Sequence, residues 1–137
     1  TPPRLADGTP FPTFYYATCP RLTGAISTLE SSGLMAQMNE RLQNDPILAG
    51  DYLAAHVDYE AARSALAKQE NLVVPEIEGV TAGGMPDRVK CLHSLVAHSL
   101  AAGEGVNPLG DEALAALDNW WVSRPCNVIS NLLDEVD

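Results

Sequence analysis

One run of residues constrains this chain more than any other. It opens at Asp45-Pro46 and carries Leu48, Tyr52, Ala55, Tyr59, Ala62 and Leu66 at three- and four-residue spacing, ending near Gln69. That period lines the apolar side chains along one stripe of a helix. Asp45 supplies an N-cap carboxylate, and Pro46 supplies a first helical residue whose φ is already set. A helix with such a stripe needs other elements to cover it.

The flanking segments offer that cover. Leu22, Ile26 and Leu29 recur at helical spacing up to Ser31-Ser32-Gly33, and Leu34, Met38 and Leu42 repeat in the next stretch. Val89, Leu92, Val96 and Leu100 predict a helix that starts from Gly83-Gly84-Met85-Pro86-Asp87 and runs to Ala102. Asp111 is expected to cap a last helix through Leu114, Leu117 and Trp121, which Pro125 breaks. One ring of Trp120-Trp121 is expected in the core and one outside. Phe11 to Thr18 is rich in aromatic and β-branched residues and reads as a strand, the second arm of a hairpin whose first arm lies at or before Thr1.

The expected fold class is therefore mainly α, a single compact helical domain with a small β-hairpin or strand near the N-terminus. Its segments are an extended or β part at 1–20, helices at 21–70, a loop at 71–86, helices at 87–122 and a tail at 123–137. At 137 residues and 46% hydrophobic content the chain can fill one core.

Charge narrows the partners. Asp and Glu number 18 against 8 Lys and Arg, for a net charge of -10. Gripping nucleic acid requires clustered cations, and anionic membrane surfaces require them too, so neither is an expected partner. No apolar run approaches the roughly 20 residues of a membrane span. No basic segment followed by an apolar one opens the chain, so no signal peptide is read, although a first residue of Thr1 points to something upstream. Three cysteines make an odd count, which fits the reducing cytoplasm, with thiols free or metal-bound, better than a secreted disulfide framework.

Those cysteines are Cys19, Cys91 and Cys126. Cys19 precedes Pro20, Cys126 follows Pro125, and Cys91 lies in Arg88-Val89-Lys90-Cys91-Leu92-His93, with His98 further on. If the helix is regular there, Cys91 and His93 point opposite ways, and Cys91 and His98 lie about 10 Å apart along its axis. Neither histidine then shares an ion with Cys91, and a metal at Cys91 must draw its ligands from other segments. Cys19, Cys91 and Cys126 are the candidate set, binding an iron–sulfur cluster or, as runner-up, zinc. The bland alternative is three buried, inert thiols.

Arg88, His93 and His98 are candidate auxiliary or catalytic groups. His98 is either a core histidine bonded to a carbonyl or a general base beside a pocket. His56 is expected at the surface or rim. Gly83-Gly84 with Arg88 and Lys90 either binds an anion or only leads into the helix. No nucleotide loop, His-Glu-x-x-His or Gly-x-Ser-x-Gly occurs.

Three stretches carry a resemblance. They are Asp7 to Leu22, Gly84 to His98, and Gly105-Val106-Asn107-Pro108-Leu109-Gly110-Asp111-Glu112. Together they resemble an uncharacterised bacterial family, found mainly in high-GC Gram-positive bacteria, domain-of-unknown-function family 501. The resemblance implies a further cysteine in a Cys-Pro-x-Gly segment upstream of Thr1, and a cysteine after a proline near the C-terminus, which Cys126 matches.

The expected function is that of a cytoplasmic protein holding an iron–sulfur cluster or metal ion through three converging cysteines and acting on a small molecule. Its rival is a metal-free, acidic helical adaptor that binds a protein partner. A third reading is a metal-free enzyme with Cys91 and His98 in a cleft.

Overall fold

The long stripe becomes the spine of the molecule. In the computed structural model, which describes residues 1–117, α3 runs from Pro46 to Gln69, and the Asp45 carboxylate accepts from the backbone N–H groups of Ile47 and Leu48 as its cap. Tyr52, Ala55 and Tyr59 are fully buried on that stripe. Each such aromatic contributes about 1.5–3 kcal/mol through its buried apolar area.

Among the described residues the other helices are α1 (Pro20–Glu30), α2 (Leu34–Asn44), α4 (Leu92–Ala102) and α5 (Pro108–Ala116), with a 3₁₀ turn at Pro75–Ile77. Helices α2 and α5 pack on α3, and α4, held by α5 and α1, closes the other side of the core. Leu22 and Ile26 of α1, Met38 and Leu42 of α2, Leu92, Leu95 and Val96 of α4, and Leu109 and Ala113 of α5 join Tyr52 and Tyr59 in one core cluster. The mainly helical expectation is met.

Among the described residues the most extensive helix–helix contact is between α4 and α5. A Cβ added at Gly110 would run into the Leu95 carbonyl and the Ser99 hydroxyl, so only glycine lets the backbones approach this closely. The expected cap for α5 shifts upstream. Asn107 rather than Asp111 precedes the helix, its Oδ1 accepting from Gly110 N at 3.0 Å, and Pro108 is the first helical residue. Asp111 instead accepts from Gly105 N at 2.8 Å and closes the preceding loop. The expected run through Leu117 stops at Ala116, with Leu117 an extended C-cap at φ -72 and ψ 140, and the expected Trp121 and Pro125 lie outside the described residues.

Two further expectations change. The N-terminal strand reduces to an isolated antiparallel bridge, Arg4 to Pro10, around the Asp7-Gly8 turn. Residues 11–18 stay extended, with Phe11 N bonded to Pro3 O, Phe14 O to the Thr1 ammonium, and side chains satisfying other backbone groups. Tyr59 Oη accepts from Phe14 N and Tyr15 N at 2.6 and 3.2 Å, and the buried Arg63 guanidinium donates to Pro12 O at 2.6 Å and Ile77 O at 3.0 Å. His56 also departs from the expected rim position. It is 7% exposed, with Nδ1 at 2.9 Å from Thr81 Oγ1.

The helix expected from residue 87 begins only at Leu92. Residues 83–90 fold into a loop in which Arg88 N donates to Gly84 O and Lys90 N to Gly83 O, so these two N–H groups are not free for an anion. Gly84 sits at φ 92, and a Cβ there would meet Arg88 O at 2.6 Å. Asn39 of α2 clamps the loop by pairing both its amide groups with the Val89 backbone, at 2.7 and 3.0 Å. Tyr52 Oη adds a bond to Arg88 O at 2.9 Å.

Candidate metal centre

That late helix start reverses the expectation for Cys91 and His93. Cys91 is the N-cap of α4, with extended backbone at φ -149 and ψ 115, and His93 is the second helical residue. Opposite faces for residues two apart are a property of helical backbone, so the rule fails when one of the two lies outside the helix. Cys91, His93 and Glu30, from the last turn of α1, each place one donor atom within 4.8 Å of the other two.

Glu30 ties α1 to the start of α4. Its Oε1 accepts from Leu92 N at 2.8 Å and lies 3.0 Å from His93 Nδ1. An anion here faces unsatisfied N–H groups and the positive end of the helix dipole. The other ring nitrogen, Nε2, lies 3.2 Å from Thr23 O and 3.3 Å from Ser27 Oγ. Ser27 donates its own proton to Thr23 O at 3.0 Å, so both neighbours of Nε2 act as acceptors. Nε2 therefore carries a proton, and a bare Nδ1 would then face a carboxylate oxygen. Only a shared cation, a proton or a metal ion, makes that contact favourable.

The metal alternative has the right chemistry. A ligating histidine characteristically donates its second ring N–H to a carbonyl or carboxylate, which fixes the ring, and Thr23 O fills that role. Donors 3.0 Å apart, each about 2.0–2.2 Å from one ion, subtend roughly 90° at it, so a tetrahedral ion needs the pair to open by about 0.4 Å. Ser94 Oγ donates to Cys91 Sγ at 3.8 Å and orients the sulfur. Ser27, His93 and Glu30 also line up as a serine–histidine–carboxylate chain. Ser27 spends its proton on its own helix, so it braces the ring instead of serving as a nucleophile.

Cys91 and His93, with Ser94, form one wall of a cleft of about 370 Å³. Thr13, Tyr15, Tyr16 and Ala17 of the extended N-terminal segment form the other wall. A second groove, of about 310 Å³, runs between the end of α3 and the 72–78 loop. Its guanidinium, Arg63, is committed to the carbonyls of Pro12 and Ile77.

His98 stands apart from this centre. It is fully buried, stacked on Tyr15 at 6.0 Å and edge-on to Tyr59 at 5.1 Å. Because Asn107 Oδ1 is occupied by Gly110 N, the Asn107 amide nitrogen is the atom facing His98 Nδ1, at 3.2 Å. Nδ1 accepts, and the proton on Nε2 goes to Asp58 Oδ2 at 2.9 Å. Both ring nitrogens are satisfied, so His98 is a core histidine with no lone pair left for a general base. Its acceptor partner is the Asp58 carboxylate where a carbonyl was expected, and a side-chain amide donates to its other nitrogen.

The remaining sequence candidates do not join the cluster. Arg88 is exposed, and its contribution is its backbone carbonyl, bonded by Tyr52. Cys19 is the N-cap of α1 and is disulfide-bonded, so it offers no thiolate in this state, against the expectation of free or metal-bound thiols; Cys91 is a free thiol. Cys126 lies outside the described residues. Glu30 was not foreseen, because a lone glutamate before Ser31-Ser32-Gly33 carries no ligand signature, and its approach to His93 depends on how α1 meets α4.

A thiol, an imidazole and a carboxylate gathered on a mainly helical frame define a protein with a candidate transition-metal centre. The chain belongs to DUF501, a protein family of unknown function, whose model matches residues 1–115 and so includes all three donors. Comparison with curated proteins and with solved structures finds no match.

Proposed function

We propose that this DUF501 protein binds a transition-metal ion through Glu30, Cys91 and His93. The observation that carries the reading is the His93 ring, whose Nδ1 faces Glu30 Oε1 at 3.0 Å while Nε2 is committed to Thr23 O, beside the Cys91 sulfur. A mixed sulfur, nitrogen and oxygen set suits zinc, which accepts all three donor types in one site. An iron–sulfur cluster needs more thiolates and would have to recruit Cys19, after reduction of its disulfide, together with Cys126. The single-ion reading needs neither. A reducing compartment such as the cytoplasm would keep Cys91 available; among the described residues no helix is long and apolar enough to cross a membrane.

The test is metal analysis of protein purified without oxygen, followed by zinc titration of the wild type and of Cys91→Ser and His93→Ala. The expected result is about one ion per chain and an affinity loss of more than about 100-fold in either variant. Wild-type protein that retains no metal and shows no saturable zinc binding would reject the reading. It would favour the adaptor alternative, for which Leu53 and Val57, both at least half exposed one turn apart on α3, offer an apolar surface.

A further inference from the structure

Resting on that metal centre, we propose that its ion keeps one coordination position open to the cleft, and that this position takes an uncharged small molecule through a neutral nitrogen or carbonyl oxygen. Two observations point to an open position. Among the described residues Glu30, Cys91 and His93 supply three donors, whereas a structural zinc site closes with four protein ligands and a ligand-accepting site keeps three. Two of those three donors, Cys91 and His93, also line the cleft, so the ion faces it directly. At about 370 Å³ the cleft falls within the size range of small-molecule sites.

Charge selects the class of ligand. A divalent ion bound to the Cys91 thiolate, the Glu30 carboxylate and a neutral His93 has no net charge. An anionic fourth ligand would make the centre negative. No Lys or Arg lines the cleft among the described residues, and the chain carries a net charge of -10. A neutral donor adds no charge that must be compensated. The cleft walls favour the same class. Thr13, Ser94, Tyr15 and Tyr16 present hydroxyl groups and aromatic faces, which suit a planar body with one or two polar groups.

The experiment uses cobalt(II) in place of zinc in the intact chain, handled without oxygen or reductant so that Cys91 stays a thiol and the Cys19 disulfide stays closed, with imidazole as the neutral probe and azide as the anionic one. Azide is small enough to enter any cleft that admits imidazole. The ligand-field bands of the cobalt protein are expected to shift saturably with imidazole, at least about 10-fold more tightly than with azide. Thr13→Trp and Ala17→Leu, which narrow the cleft without touching a donor, are expected to weaken imidazole binding several-fold while leaving cobalt affinity unchanged. Cobalt bands that ignore both probes would overturn the open position but leave the metal centre standing. Azide binding as tightly as imidazole would overturn the neutral class. Failure to form any thiolate–cobalt spectrum would overturn the centre itself and this inference with it.

Discussion

His93 and His98 sit five residues apart on α4, yet their surroundings differ in kind. His98 is fully buried, and each ring nitrogen has a partner of the matching sense, the Asn107 amide donating to Nδ1 and Asp58 accepting from Nε2. His93 is partly exposed and faces acceptors on both sides, Glu30 at Nδ1 and Thr23 O at Nε2. A matched ring is finished by its neighbours and acts as structure. A ring between two acceptors still needs a cation, and a thiol stands beside it. Matching of donors to acceptors, more than burial or identity, separates the structural histidine from the candidate ligand.

The largest effect should follow from disturbing the matched side. Gly110→Ala forces a methyl into the Leu95 carbonyl and the Ser99 hydroxyl and displaces the N–H that orients Asn107. Overpacking against backbone is expected to cost about 3 kcal/mol or more, read as a lowered denaturation midpoint. Asn107→Ala removes the α5 cap and leaves His98 Nδ1 without a donor. The expected loss is about 2–4 kcal/mol by urea denaturation. A loss below about 1 kcal/mol would mean that the matching around His98 has little weight.

Alkaline pH should act on this same side. Burial raises the phenol of Tyr52 far above its usual range and also raises those of Tyr59 and Tyr15, with Asp58 adding to the effect at Tyr15. The unfolded chain releases phenol protons near pH about 10, whereas the folded chain keeps them. The unfolded state then binds fewer protons, so this stabilisation is complete below about pH 10 and is lost as pH rises further. Denaturation between about pH 8 and 11 should show that decline, and Tyr52→Phe should shrink it.

The His93 side should respond in the opposite pattern. In metal-free protein His93→Ala is expected to cost less than about 1 kcal/mol, because the site is partly exposed, while metal affinity collapses. Smallest of all, Glu76→Gln removes the exposed ion pair with Arg4 and should leave the denaturation midpoint nearly unchanged.

Much of the helical frame was legible because it obeys local rules. Asp45-Pro46 and the Leu48 to Leu66 stripe give α3 its start and its buried face, and Leu22, Ile26, Met38 and Leu42 mark the buried sides of α1 and α2. Failures came where tertiary contacts replace local ones. The extended segment looked like a strand, but Tyr59 and Arg63 bond its backbone in place of a partner strand. The apolar spacing of Val89 and Leu92 continues the α4 period although residues 83–90 are a clamped loop, held by an Asn39 that no local pattern connects to Val89. That misplaced start hid the candidate site. Helical geometry appeared to forbid a shared ion for Cys91 and His93, and Glu30 was distant in sequence from both.

Cobalt(II) titration of the intact chain under anaerobic, non-reducing conditions, followed by its visible and near-ultraviolet spectrum, decides whether Cys91 and His93 hold one ion. The account predicts a thiolate-to-cobalt charge-transfer band that saturates at about one equivalent, is lost in Cys91→Ser and His93→Ala, and persists when His98 is replaced by asparagine. No such band in the wild type, or a band unchanged by His93→Ala, would contradict it.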